Sequence, residues 1–114
     1  MENRRYCLAL DLKDNSETIA SYVSHHLEVS SEIIQSITDA DVTVMDIYLT
    51  GNRLFMIMEV GEAFDFDKKA QMDKENPAVQ AWEKLMSSLQ QPLRWSKPGE
   101  KWVVMEKIFS LPGR

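Results

Sequence analysis

The sequence contains few of the residues that build covalent crosslinks or phosphate-binding loops. Cys7 is its only cysteine, which excludes an internal disulfide. Four glycines are present, and they do not form a glycine-rich phosphate loop. The apolar runs are far shorter than the roughly 20 residues of a membrane-spanning helix. We therefore expect no disulfide framework, no phosphate loop and no membrane span.

Positive charge is outnumbered by negative charge. Lys and Arg number 13 against 18 Asp and Glu, the net charge is −5, and the sequence has no basic run. A nucleic-acid partner is not expected, because such partners require a basic surface along the phosphates. Residues 1–5 lack the apolar core of a signal peptide, and together with the single cysteine they predict a cytoplasmic protein. The length of 114 residues predicts a single domain over residues 1–114.

The first part of the chain predicts a strand followed by two helices. In residues 6–12, leucines at alternate positions give the period of two that is typical of a strand. Residues 14–17 supply cap chemistry for a helix that begins near Ser16, and Ser30 or Ser31 caps a second helical piece. The apolar positions follow the spacing of a helical face: Ile19, Tyr22, Val23, His26 and Leu27, then Ile33, Ile34 and Ile37.

The rest of the chain predicts a hairpin, two helices and a last strand. Residues 50–52 form a short loop that suits a hairpin. Asn76 followed by Pro77 is typical of a helix start. The predicted elements are strands at 42–49 and 53–60, a short helix at 65–75, a helix at 77–89 and a strand at 102–109. The apolar stripe of the longer helix is Val79, Trp82, Met86 and Leu89.

This order, β-α-β-β-α-β, is the split βαβ arrangement of ferredoxin-like α+β folds. Helices cover one face of its sheet. The other face carries side chains that are too apolar to be left in water: Cys7, Ala9, Phe55, Ile57 and Val104. Two such faces packed together in a two-fold dimer would bury them. We therefore expect a homodimer, that is, a dimeric α+β barrel.

The chain has two histidines, and they are adjacent. On a helix, His25 and His26 point about 100° apart, so they cannot chelate one metal ion together, and we expect no metal site. His26 lies on the apolar stripe one turn after Tyr22, whereas His25 faces outward. From the residues alone, His26 is either a packed core histidine or a functional group.

Several segments resemble the L-rhamnose mutarotase family. Residues 22–26 match its Tyr-x-x-x-His helix, and Glu32 stands six residues after the histidine, where that family has a glutamate. Residues 53–59 are similar to its central strand, which also ends in glutamate, and residues 80–86 to its tryptophan helix. The segments most similar to an L-fucose-associated branch of the family are residues 5–13, 69–73 and 98–102.

The chain departs from rhamnose-type members of this family at three places. Glu83 stands where they have a second tryptophan, and Met45 stands where they have a second binding tyrosine. Both departures fit a different sugar branch. Ser30 and Ser31 replace a Trp-Pro pair, and this departure fits neither branch.

The resemblance implies an enzyme without cofactors that interconverts the α and β anomers of a free aldose, L-fucose first and L-rhamnose second. Ring opening needs one proton delivered to the ring oxygen and one removed from the anomeric hydroxyl. An imidazole suits both transfers, because its ordinary pKa is about 6.5. By the resemblance, His26 is the acid and base, Tyr22 binds the sugar, and Trp82 offers a flat apolar face to the ring. The same correspondence makes Glu83 and Met45 substrate-binding residues.

Asp11 and Glu59 are two further candidate sugar ligands. They lie on the sheet face opposite the helices, where an unpaired carboxylate is costly unless it bonds sugar hydroxyls or a basic neighbour such as Lys101. Two other functions stay open at this point. One is a sugar-binding dimer without catalysis, and the other is a cofactor-independent oxygenase or haem-handling protein of the same barrel fold.

Overall fold

A computed structural model describes residues 4–112 of the chain. Within them, one antiparallel sheet is built from the strands β1 (Arg4–Leu12), β2 (Val42–Thr50), β3 (Arg53–Val60), β4 (Gln90–Gln91) and β5 (Val103–Val104). β1 pairs with β3 from Arg4 to Asp11, and β2 forms a hairpin with β3 on the outer side. The two short strands pair with the other edge of β1, so the order is β2-β3-β1-β4 with β5 also beside β1.

Four helices of the described residues connect these strands, and each begins at a side chain that caps it. They are α1 (Ser16–His26), α2 (Ser31–Asp39), α3 (Phe66–Lys74) and α4 (Pro77–Leu89). The cap side chains, which accept hydrogen bonds from backbone N–H groups of the first turn, are Asn15, Ser30, Asp65 and Asn76. The predicted helices are therefore confirmed. They could be predicted because the cap residues at their starts are local signals in the sequence. No helix of the described residues is long and apolar enough to cross a membrane.

The sheet has one face covered by the helices and one open face. The covered face carries the buried side chains of alternate residues, among them Leu8, Leu10 and Leu12 of β1 and Leu54, Met56 and Met58 of β3. Between them on the open face lie Cys7, Ala9, Phe55 and Ile57, which are half-buried within one chain. This alternation confirms the predicted faces of both strands. The ferredoxin-like α+β fold is confirmed as well.

The last predicted strand is wrong in its extent. Of residues 102–109, Val103–Val104 pairs with β1 opposite Ala9 and Leu8, and Met105 donates one more backbone hydrogen bond to Cys7 at 2.7 Å. The chain then leaves the sheet with Ile108 and Phe109 exposed. The alternation of these residues suits a strand, but a strand also needs backbone pairing, and the last such bond of this segment within residues 4–112 is that of Met105 to Cys7.

A second correction follows from the same register. Val104 lies opposite Leu8, and residues directly opposite each other in an antiparallel pair share a face. Val104 therefore belongs to the covered face, and Val103, opposite Ala9, belongs to the open face. A shift of one residue exchanges the two faces of a strand, which explains why the prediction for Val104 is wrong.

Candidate active site

A cavity of about 650 Å³ lies between the helices and the covered face of the sheet. Every helix contributes to its wall, including Tyr22 from α1, Ile33 from α2, Lys69 from α3 and Trp82 from α4. An adjoining pocket of about 270 Å³ has His26 in its wall. The two spaces share the side chains of Ile33, Ile37, Met45, Ile47 and Trp82. Together they are large enough for a monosaccharide.

Five of the predicted site residues meet at these two spaces. Tyr22, Met45, Trp82 and Glu83 line the larger cavity, and His26 lines the adjoining pocket with Met45 and Trp82. They come from α1, β2 and α4, which are far apart in sequence. The helical periodicity of α1 and α4 turns Tyr22, His26 and Trp82 toward the same space. His25 is not among the residues that line it.

Three aromatic rings form the centre of this arrangement. The Tyr22 and His26 rings stack with their centroids 4.4 Å apart, and the His26 ring meets Trp82 edge to face at 5.3 Å. The position of His26 is fixed further by its Nδ1, which lies 2.8 Å from the backbone oxygen of Tyr22. A carbonyl oxygen can accept but not donate, so Nδ1 carries a proton. In the neutral ring, Nε2 is therefore the nitrogen with a free lone pair.

Tyr22 is a neutral hydrogen-bonding group at ordinary pH. Its side chain is 4% exposed. Burial raises the pKa of Tyr22 to about 12, and a hydrogen bond with the Gln90 side chain opposes this shift by a smaller amount. The phenol thus keeps its proton and does not act as a base. It can hold a hydroxyl group by donating to it.

Asp11 and Glu59 are not brought to this site. Both side chains lie on the open face, where Asp11 accepts hydrogen bonds from Arg53 at 2.7 and 3.1 Å and Glu59 pairs with Arg5 at 2.8 Å. Each pair joins directly opposite residues of β1 and β3. The expected basic neighbours exist, but they are these arginines and not Lys101. We therefore remove Asp11 and Glu59 from the candidate site.

A metal centre has no support in the described part of the chain. Between Arg4 and Pro112, no three His, Cys, Asp or Glu side chains are close enough together to hold one ion. The site is built instead from aromatic, apolar and hydrogen-bonding side chains. Such a lining suits a small polar molecule with one apolar face.

Comparison with known proteins adds the decisive observation. A family model described as L-rhamnose mutarotase matches residues 5–111. The chain belongs to the L-rhamnose mutarotase family. As a member of this family it is a sugar mutarotase, which is an isomerase.

One relative with a curated description is an L-fucose mutarotase from Xanthomonas campestris pv. campestris. It is 42% identical over 113 residues, which cover 97% of this chain and 90% of the relative. Among solved structures, an L-rhamnose mutarotase from Formosa agariphila superposes with a TM-score of 0.69 at 19% identity, over 95% of this chain and 98% of that one. Tetracenomycin F2 cyclase from Streptomyces glaucescens superposes at 0.56 and 12% identity, over 96% and 99%. At such low identities these structures show the fold alone.

Several polar residues that line this mutarotase cavity were not predicted as site residues, among them Lys69, Asp73 and Gln90. Lys69 and Asp73 of α3 form an ion pair of 2.6 Å in the wall, with side chains 20% and 14% exposed. Two features of the sequence could have indicated them. Their i,i+4 spacing places the two side chains next to each other on a helix, and both lie in the segment that resembles the L-fucose branch. Gln90 lines the cavity from β4. No local sequence pattern predicts that Gln90 is buried, because its burial depends on the pairing of β4 with β1.

The unmatched pair Ser30-Ser31 has a structural explanation. The Ser30 hydroxyl accepts a hydrogen bond from the backbone N–H of Ile33 at 3.4 Å and caps α2. Both serines and Glu32 are exposed, whereas Ile33 turns inward to the cavity wall. In this chain the pair therefore serves the start of α2, and the cavity wall is formed by later residues of α2 such as Ile33.

Proposed function

We propose that the chain interconverts the α and β anomers of a free 6-deoxy aldose, L-fucose in preference to L-rhamnose, with His26 as acid and base. The observation that carries this proposal is the hydrogen bond between Nδ1 of His26 and the Tyr22 carbonyl. It holds the ring in one tautomer and leaves Nε2 for proton exchange in the wall of the pocket.

The chemistry needs one proton acceptor that can return the proton nearby. Nε2 of His26 removes the proton from the anomeric hydroxyl, the bond between the anomeric carbon and the ring oxygen breaks, and the imidazolium gives the same proton to the ring oxygen. Because both oxygens are bonded to the same carbon in the ring form, one imidazole reaches both. Rotation of the aldehyde and reversal of these transfers close the other anomer.

The remaining lining supports a 6-deoxy sugar. Trp82 and Met45 border both spaces and give them apolar surface, which suits the methyl group and the apolar face of such a ring. L-Fucose and L-rhamnose differ in the orientation of ring hydroxyls, so polar groups must separate them. The identity of 42% to an L-fucose mutarotase favours L-fucose, and Glu83 supplies a polar group where rhamnose-type members are expected to have a tryptophan.

The proposal includes a homodimer formed by the open faces of two sheets. Tyr48 is 55% exposed on this face beside Phe55, with the ring centroids 6.4 Å apart. Cys7 and Ile57 continue the apolar strip between the two cross-strand ion pairs. A second copy would remove this surface from water. One protein of similar fold, with a TM-score of 0.52 and 17% identity over 96% of this chain and 93% of that one, is described as dimeric.

Exchange NMR on free aldoses tests the function. With a small amount of protein, the exchange rate between the α and β signals of L-fucose should rise above that in buffer, and it should exceed the rate for L-rhamnose at equal concentration. Exchange at the buffer rate for both sugars would contradict the activity. If the sugars still bound, the non-catalytic alternative would replace it. A faster rate for L-rhamnose would reverse the order of substrates.

A further inference from the structure

Gln90 is a buried amide with an unused hydrogen-bonding group. Gln90 is 9% exposed, and its backbone pairs with Leu12 of β1. Gln90 also lines the larger cavity. Among residues 4–112, its Oε1 atom has no hydrogen-bond partner although it is shielded from the surface. A buried acceptor without a donor is costly, and native proteins keep few of them. Because Gln90 lines the cavity, its unpaired amide group is a candidate to bind a ligand there.

The Tyr22 phenol is a polar neighbour of Gln90 in the cavity wall. It lies near enough to the amide to act as its hydrogen-bond partner. The fully buried residues that pack with Tyr22 are Leu12, Leu54 and Met86, whose side chains offer no strong hydrogen-bond donor. Gln90 and Tyr22 therefore form a polar pair beside this apolar cluster.

This pair presents a donor and an acceptor side by side. When the Gln90 NH₂ group donates to the phenol oxygen, the phenol O–H is free to donate and Oε1 is free to accept. If the amide oxygen and nitrogen are exchanged, the phenol donates to Oε1, and a phenol lone pair and the NH₂ group stay free. Either orientation leaves one donor and one acceptor. A sugar hydroxyl, which both donates and accepts, complements that arrangement.

We propose that Gln90, together with Tyr22, binds one non-anomeric hydroxyl of the aldose and makes the enzyme select sugars that carry this hydroxyl. The inference rests on the proposed function and names a specificity residue within it. His26 transfers protons at the anomeric centre, and Gln90 binds a hydroxyl on another part of the ring. A sugar without the matching hydroxyl leaves the amide unpaired, and it is rejected for that reason.

The test compares wild type, Gln90→Met and a matched control, Gln91→Met. Gln91 is the next residue of the same strand, and it is exposed and absent from the cavity wall. The kcat and KM of anomer exchange are measured for L-fucose and for its analogues that lack one ring hydroxyl each. Gln90→Met should raise the KM for L-fucose by roughly 5- to 100-fold with kcat less affected. One analogue, discriminated by wild type, should then be handled like L-fucose. Gln91→Met should behave like wild type.

The thermal midpoint separates this role from a structural one. Since the substitution removes an unpaired buried acceptor, Gln90→Met should unfold no earlier than wild type. If it unfolds, Gln90→Asn, which keeps the amide but shortens it, is the second variant and should also lose the discrimination. A folded variant with unchanged KM and unchanged ranking of the analogues would overturn the inference while leaving the mutarotase proposal intact.

A failure of the proposed function gives a different result. In that case wild type does not accelerate exchange of any aldose, and the same analogues are ranked by their dissociation constants in titration calorimetry. Loss of selectivity in Gln90→Met supports the role of Gln90 in binding even then. Equal selectivity in wild type and variant overturns it.

Discussion

The two faces of the sheet use alternate residues of the same strands for different tasks. On β3, Met56 and Met58 face the cavity, whereas Phe55 and Ile57 face away from it. Polar groups differ in the same way. The carboxylate of Asp11 on the open face is paired with an arginine, whereas Gln90 on the cavity side keeps an oxygen without a partner. The carboxylate is already paired within the sheet, whereas the Gln90 oxygen is the group for which we propose a ligand.

The largest effect is expected for His26 on the cavity side. His26→Gln should lower the rate of anomer exchange by roughly 10²- to 10⁴-fold, because the amide cannot accept and return the proton. The measurement is exchange NMR with saturating L-fucose. The hydrogen bond to the Tyr22 carbonyl is within reach of glutamine, so this variant disturbs the packing less than alanine would.

His25→Gln is the matched control for this variant. It changes the same residue type one position earlier, outside the lining of both spaces, and should leave the rate within about twofold, since it makes no contact with the reacting atoms. The thermal midpoint and oligomeric state of both variants are measured alongside. Near-normal exchange in a folded His26→Gln protein would return this residue to the role of a packed core histidine.

On the open face, the corresponding change should break the dimer. Ile57 lies in the middle of the strip, opposite Cys7 on β1 and Asp46 on β2. In Ile57→Glu, dimer formation must bury a carboxylate, which should weaken association by roughly 3 kcal/mol, or about a hundredfold in dissociation constant. Light scattering across a range of concentrations measures the effect.

Val23→Glu adds the same charge on α1. The prediction that Val23 and Leu27 belong to the packed apolar face is wrong, because they are 43% and 81% exposed. The Val23→Glu protein should stay dimeric. A dimer that survives Ile57→Glu would move the interface to another surface, such as the exposed residues 105–112. A monomeric wild type would remove the barrel from the proposal.

The sequence predicted those parts of the molecule that local signals specify. Cap residues such as Asn15 and Asn76 predicted the helix starts, and helical periodicity predicted that Tyr22, His26 and Trp82 point inward. What depends on distant pairing was not predictable. The division of one strand edge between β4 and β5, and with it the burial of Gln90, depends on how β1 is shared.

The dependence on distant pairing also explains why the sequence wrongly predicted Asp11 and Glu59 as sugar ligands. Alternation correctly put Asp11 and Glu59 on the face opposite the helices. Their partners follow from the register between β1 and β3, which sets Asp11 against Arg53 and Arg5 against Glu59. Register is a property of two strands and is not written in either one alone. A carboxylate that needs a partner can find it in an arginine as well as in a sugar.

Alkaline titration of Tyr22 sharpens the comparison, because this phenol lies on the cavity side. Burial raises the pKa of Tyr22 from 10.0 to about 12. Between these values the unfolded chain releases the phenol proton and the folded chain retains it. The free energy of unfolding should therefore be unaffected by this group below pH 10 and fall by about 2 to 3 kcal/mol as the pH rises to about 12.

Urea unfolding of wild type and Tyr22→Phe across this range measures that decrease. The variant has no phenol at this position, so it should lose less stability than wild type in the same window. Phenolate absorbance of the folded proteins gives the titration directly. Equal pH dependence of the two proteins would mean that Tyr22 is not shielded from water in solution.

The smallest effect is expected for Asp11, and its value lies in the contrast with the cavity side. Asp11→Asn keeps the shape of the side chain and can still accept from Arg53, whose pKa the hydrogen bond and charge of Asp11 raise. Since Arg53 is half exposed, the loss should lower the thermal midpoint by about 5 °C or less. The KM for L-fucose should be unchanged.

Glu83→Gln removes a charge from the cavity wall instead, and should raise the KM for L-fucose roughly 5-fold or more with little change in stability. Steady-state kinetics from exchange NMR and thermal unfolding on both variants give the comparison. A tenfold rise in KM for Asp11→Asn with no rise for Glu83→Gln would mean that the sugar meets the open face, and the assignment of the two faces would have to be exchanged.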